Sequence, residues 1–374
     1  MGREVHVGGP DDGDEGRPAV PDTAVRLFVG PANFAGQGYL WARAVERSVP
    51  DVSAVSFAPH VPGAFDFPVD YLVPQATYLD DFEFHERLLA YVRGQFTHVL
   101  FEAARPLFGR SYGLNFLTES KLLTRAGLAV AVIAHGTDVR LPSRHAAAYD
   151  YSPFRGDLVP ETPLLEDRAA RNIARIDAFS GPAFVSTPDL LLDLPEATWC
   201  PVVVDVDRWH TDVPPMQRKV PVVVHAPSKS HVKGTDLVET ALADLVARGA
   251  IEYRRIEGVP AAEMTRVYTE ADIVLDQFRL GSYGVAACEA MAAGRVVVGN
   301  VSDLVREHAT SVGAGELPII QADGSDLASV IESIIDDPTT ARTRAADGLG
   351  YVRAVHDGSI SAGILRNFLE EGQQ

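Results

Sequence analysis

The stretch from Asp276 to Asn300, DQFRLGSYGVAACEAMAAGRVVVGN, restricts the fold of this chain more than any other. It follows the apolar run Ile273 to Leu275, turns through Gly281 and Gly284, and continues as Ala/Glu/Met-rich sequence that favours helix. Gly294 stands where a left-handed helix cap is wanted, and the β-branched Val296 to Val298 predicts the next buried strand. Strand, glycine loop, helix and strand in that order make the repeating unit of a parallel sheet.

A glycine loop leading into a helix turns free backbone amides, here near Tyr283 to Ala286, toward a ligand, with the positive end of the helix dipole behind them. Phosphate suits such a loop. One turn further on, Glu289 lies between Cys288 and Ala290 in apolar sequence, where an unpartnered carboxylate is costly. Either a ribose diol meets it, or it caps or pairs within the fold.

The same residues resemble the nucleotide-sugar signature of retaining GT-B glycosyltransferases. In that family two glutamates with seven residues between them bracket a G-x-G turn, and E-A-M-A-x-G-x-P-V-V follows. Here the second is Glu289, in Glu289-Ala290-Met291-Ala292-Ala293-Gly294-Arg295-Val296-Val297. The family's first glutamate falls on Gly281 and its proline on Val296. The resemblance implies that Glu289 holds the ribose and that Gly281, Ser282, Tyr283, Gly284 and Val285 lie along the donor.

Composition narrows the partners. The 374 residues suffice for two domains, each with its own core. A net charge of −18 argues against nucleic acid and against charge-driven adhesion to anionic lipid. Lysine occurs only at Lys121, Lys219, Lys229 and Lys233, so two of the four share one short loop. That loop fits an anionic ligand, or else carries two solvated side chains. Cys200 and Cys288 are too few for a disulfide framework or a metal cluster. Residues 1–22 read as a disordered acidic tail rather than a signal peptide, and no run has the ~18 apolar residues of a membrane span. A cytoplasmic protein is expected.

Along the chain, Ala24 to Val29 predicts a strand, followed by the loop Asn33-Phe34-Ala35-Gly36-Gln37-Gly38 and a helix from Tyr39 to Arg47. This loop lacks the spacing of a Walker or dinucleotide fingerprint, so it is either a plain turn or a functional one. By resemblance, Gly36 and Gln37 reach the donor diphosphate or the acceptor. Further strands are expected at Val52 to Phe57, Thr97 to Glu102, Leu128 to Ala134, Ala183 to Thr187 and Cys200 to Asp205, with helices at Phe82 to Gly94, Asn115 to Ala126 and Leu165 to Ile176. His135-Gly136-Thr137-Asp138 ends one strand, where ligands of parallel sheets sit, and Arg140 follows. His135, Asp138 and Arg140 either meet the sugar and acceptor, or form a structural histidine beside a capping aspartate. The resemblance places a cleft histidine at His135.

Residues 209–218, with Pro214-Pro215, read as a linker between an acceptor domain at 23–208 and a nucleotide-sugar domain at 219–355. After the strand Val220 to Ala226, Pro227 to Thr235 is similar to the family's Gly-Arg-Leu-x-x-x-Lys-Gly, whose Arg and Lys clamp the diphosphate. Lys233-Gly234 matches. The Arg position carries Ser228, and whether Lys229 replaces it is left open. Val259, in the turn Gly258-Val259-Pro260, falls where the family's backbone meets the base. Helices near Asp326 to Ile335, Thr340 to Val355 and Ser359 to Glu370 complete the chain, and residues 356–374 are expected to cross back to the first domain.

The fold expected is therefore α/β, two Rossmann-like domains facing across a cleft. The resemblance implies retaining, metal-independent transfer of a sugar from a nucleotide-diphospho-sugar to a hydroxyl acceptor, with no cofactor and with His135, Lys233 and Glu289 as the catalytic set. A sugar-nucleotide-binding protein with little or no transfer activity, or an epimerase or hydrolase on the same fold, are the alternatives.

Overall fold

The β-branched and aromatic runs of the first half pair side by side into one parallel sheet. Its strands are β1 (Val25–Gly30), β2 (Val52–His60), β3 (Tyr71–Pro74), β4 (His98–Glu102), β5 (Ala129–Ala134), β6 (Ala183–Val185) and β7 (Thr198–Trp199), in the order β3-β2-β1-β4-β5-β6-β7. The second half builds another from β8 (Val222–His225), β9 (Glu252–Arg255), β10 (Ile273–Leu275), β11 (Val296–Gly299) and β12 (Ile320–Gln321), in the order β12-β11-β10-β8-β9. The computed structural model describes residues 16–62 and 66–371. Strands such as β8 and β11 are fully buried because helices cover both faces, so their sequence is continuously apolar rather than alternating.

Strand order reverses twice, between β1 and β4 and between β8 and β10. At such a point the two following connections leave on opposite faces, and a crevice opens beyond the strand ends. The fold thus supplies two crevices.

One apolar cluster runs through both halves, from Phe28 and Phe101 to Val224, Met291 and Val355. A second forms where the last helix, Ser359–Glu371, packs Leu365, Phe368 and Leu369 against Trp41 and Val45 of the helix Gln37–Ser48. Each fully buried side chain of this size contributes about 1.5–3 kcal/mol. His356, just before that helix, joins the halves: its Nδ1 bonds the Val202 carbonyl at 2.8 Å and its Nε2 the Tyr283 hydroxyl at 3.1 Å. Burial pushes this imidazole down to about 4. It therefore stays neutral and can donate on one side while accepting on the other.

Some local expectations differ from the structure. The strand expected at Cys200 to Asp205 is instead the short β7 before it, because Val202 to Val204 bond the helix-end His356 and the Gln37 amide rather than a strand. Strand β3 and the helix Asp303–Ser311 were not legible. Residues 1–15 of the expected tail lie outside the described residues. Its end is packed: Pro18 accepts from the Tyr91 hydroxyl at 2.7 Å, and Val20 lies on the core. No helix among the described residues is long and apolar enough to cross a membrane.

Candidate functional site

On the first half, the loop leaving β1 is shaped by a carboxylate at the end of β4. Glu102 is fully buried, and its Oε2 accepts from the amides of Ala32 at 3.1 Å and Asn33 at 2.9 Å. This supports a loop in which Asn33 and Ala35, neither of them glycine, take left-handed backbone angles, a conformation that costs of order 1 kcal/mol or more each. Gly38 is needed beside it, since a Cβ there would stand 2.8 Å from Oε2. The other oxygen, Oε1, lies 3.3 Å from Nε2 of His135. Neither atom has a hydrogen bond of good geometry. The His135 ring is held between Phe34 and Trp41, each 5.4 Å away centre to centre. Asp138 fastens the turn from below, accepting from the amides of His135 and Gly136.

On the second half, both connections at the β8/β10 reversal carry charge. Lys233 follows β8 in the helix Ser230–Lys233, and its Nζ contacts Oδ1 of Asp276, the residue after β10, at 2.7 Å. Asp276 is buried and its Oδ2 has no partner. Glu289 lies one turn into the helix Val285–Ala292. It has no hydrogen bond or ion pair with any described residue, and burial pushes its carboxyl up to about 8, against the pull of Arg208 and Lys233. A half-buried acid pushed toward its protonated form and unpartnered by the described fold is a candidate for a ligand-binding group.

Between the halves lie two adjoining cavities. The larger, about 1260 Å³, has Ser228, Lys233, Val259 and Glu289 on one side, Gly36, Phe34, Tyr39 and Phe67 on the other, and Trp209 and Arg208 where the chain crosses over. The smaller, about 640 Å³, is bordered by His135, Asp138, Gln37 and Gly284. They meet at Phe34, Ala35 and Val285. Both volumes fall in or near the range of small-molecule sites. Among the described residues no three His, Cys, Asp or Glu side chains are grouped to hold a metal ion.

The cleft therefore collects Gly36, Ser228, Lys233, Val259, Gly284, Val285, Glu289 and His135. Several other expected residues are engaged by the fold itself. Gln37 binds the Val203 backbone with both ends of its amide. Arg140 is in a buried ion pair with Asp189 and borders neither cavity, and the Asp138 carboxylate is occupied by amides. Lys229 is exposed and borders neither cavity. Ser282 donates to Asp189 at 2.6 Å, and Tyr283 is buried against Tyr351 and His356. Gly281 faces Tyr151, not the cleft. Sequence reasoning missed Glu102, Arg208 and Asp276. Asp276 and Glu102 each stand at a strand end, the one signal that marked them.

Gly281 has φ +65° and no room for a Cβ beside the Tyr151 hydroxyl. Gly281→Ala is expected to lower stability by about 1–3 kcal/mol through strain and overpacking. Pairing it with Tyr151→Phe, which removes the oxygen in the way, should return part of that loss in urea titration.

No family model matches the sequence, and no curated protein does. Solved structures do. Sucrose-phosphate synthase from Thermosynechococcus elongatus superposes with a TM-score of 0.59 at 14% identity, covering 93% of this chain and 98% of that one. HepE from Anabaena, solved with UDP and glucose, gives 0.57 at 11% identity over 92% and 99%. The catalytic domain of starch synthase IV from Arabidopsis thaliana, bound to ADP and acarbose, gives 0.58 at 11% identity over 94% and 99%. At this identity the likeness concerns the fold, and the fold is GT-B.

Proposed function

We propose that the protein is a glycosyltransferase that moves a sugar from a nucleotide-diphospho-sugar to a hydroxyl acceptor with retention at the anomeric carbon and without a metal ion. The observation that carries this reading is Glu289, an unpartnered carboxyl facing the large cavity from the second half, with Lys233 beside it and His135 beyond the shared seam. Neighbours of the same fold were solved with UDP and glucose or with ADP, which adds weight to a nucleotide in this cleft.

In this reading the base lies near Val259, the ribose diol meets Glu289, and the diphosphate lies between Lys233 and the amides of Val285 and Ala286. The bond from the anomeric carbon to the diphosphate oxygen breaks, and a bond to the acceptor oxygen forms on the same face. The acceptor's proton leaves with the diphosphate. Lys233 and the helix start stabilise the charge that grows on the leaving group, a contribution worth most in a site that excludes water. His135, held between Phe34 and Trp41, contacts the sugar and acceptor.

A second reading, a sugar-nucleotide-binding protein with little transfer, draws support from Lys233 being held by Asp276 and from Tyr151 standing where Gly281 leaves no acidic group. Release of nucleoside diphosphate separates the two. A thermal-shift series with UDP, GDP and ADP is expected to raise the melting temperature with one of them by several degrees, since a ligand bound only by the folded state stabilises it. No shift with any would defeat both readings, and binding without turnover of the matching UDP-, GDP- or ADP-sugars would favour the second. A cytoplasmic enzyme is the setting proposed.

A further inference from the structure

The smaller cavity carries three arginines for which the transfer just described has no use. Arg168 and Arg175 lie on the helix Thr162–Asp177, seven residues apart and so on one face two turns long. Asn172 stands between them and donates through Nδ2 to the Asp138 carbonyl at 3.0 Å, which holds this face against the turn bearing His135. Arg105 comes from the loop after β4, its guanidinium 4.8 Å from the centre of the Phe34 ring. Among the described residues none of the three has a carboxylate within ion-pairing distance; Arg175 contacts only the Asn172 side-chain oxygen, at 3.3 Å. By contrast, Arg248, Arg254 and Arg255 on the outer surface each contact two carboxylates. The cavity's own acid, Asp138, is turned toward backbone amides.

We infer that the acceptor carries an acidic group, a phosphate or a carboxylate, and that Arg105, Arg168 and Arg175 bind it in the smaller cavity. This rests on the glycosyltransferase reading. In a chain with a net charge of −18, three unpaired guanidinium groups around one hollow form a local positive potential in an otherwise negative field. Their forked geometry matches an oxyanion better than a neutral hydroxyl. The donor-side groups Lys233 and Glu289 border only the larger cavity. A reacting hydroxyl at the seam near His135 leaves the rest of a small acceptor extending toward the arginines.

The test compares the wild type with Arg168→Gln/Arg175→Gln, substitutions on a helix face whose side chains take no part in the core. Calorimetric titrations use glucose 6-phosphate, glucuronate and glucose as probes, with and without saturating UDP, and UDP alone. The expected result is binding of a charged sugar about tenfold or more tighter than glucose, at least tenfold weaker in the double variant, with UDP affinity unchanged. Phosphate and carboxylate are told apart by which of the two charged probes binds. Charged sugars binding no better than glucose, or equally well to both proteins, would overturn the inference. A loss of UDP affinity in the variant would also overturn it, by assigning the arginines to the donor. If none of UDP, GDP and ADP binds even the wild type, it is the glycosyltransferase reading that falls, and the sugar titrations without nucleotide still judge the arginines.

Discussion

Lys233→Ala is expected to lower folding stability by about 3–5 kcal/mol and turnover by about 10² to 10³, and the two losses should be separable. Among the described residues the ammonium group is the one hydrogen-bonding partner of the Asp276 carboxylate, which is buried at the end of β10 with its second oxygen unsatisfied. Removing the lysine leaves a buried carboxylate without its partner, and breaking a buried pair from one side is far more damaging than removing both partners. Lys233→Ala/Asp276→Asn should therefore regain most of the stability in urea titration. It should not regain turnover, because the positive charge at the proposed diphosphate position is still missing. The donor KM should change less than kcat, since a charge that grows on the leaving group is felt mostly in the transition state. A double variant as active as the wild type would leave Lys233 with a structural role alone.

What was legible in the sequence follows from the range over which each signal acts. Strand, loop and helix alternate in the second half because β8, β10 and β11 are buried on both faces and so read as short unbroken apolar runs. Helix starts and the left-handed cap at Gly294 are set by neighbours a few residues away. Side-chain direction is not set so locally. Tyr283 and Gly284 are adjacent in the glycine loop, yet one is buried against His356 and the other borders a cavity. Arg140 looked like a cleft residue because its partner, Asp189, lies 49 positions on. The same holds for Glu102, whose importance comes from Ala32, Asn33 and Gly38 about 70 positions earlier. The pattern Arg168, Asn172, Arg175 is visible as one face of an expected helix, but only the fold says that this face looks into the cleft.

Nucleotide binding is expected to be coupled to the ionisation of Glu289. Burial holds this carboxyl up at about 8, above the ordinary 4.5. The sign follows directly. A carboxyl with a raised folded value leaves the fold most stable below pH 4.5, and its contribution is lost as pH rises from there to about 8. A ribose diol donating two hydrogen bonds prefers the ionised form, so binding near neutrality must release a proton. The affinity for UDP should rise from about pH 6 to about pH 8 and then level off, with close to one proton released per UDP at pH 7. Calorimetry in buffers of different ionisation heat measures that proton directly. Glu289→Gln should remove the proton release attributable to this site and weaken UDP by about 10 to 100-fold at pH 8, as expected for lost charge-assisted hydrogen bonds in a desolvated pocket. The terminal phosphate of UDP titrates in both proteins alike and cancels in the comparison. Equal affinity and equal proton release in the two proteins would place the ribose elsewhere, and with it the orientation proposed for the whole donor.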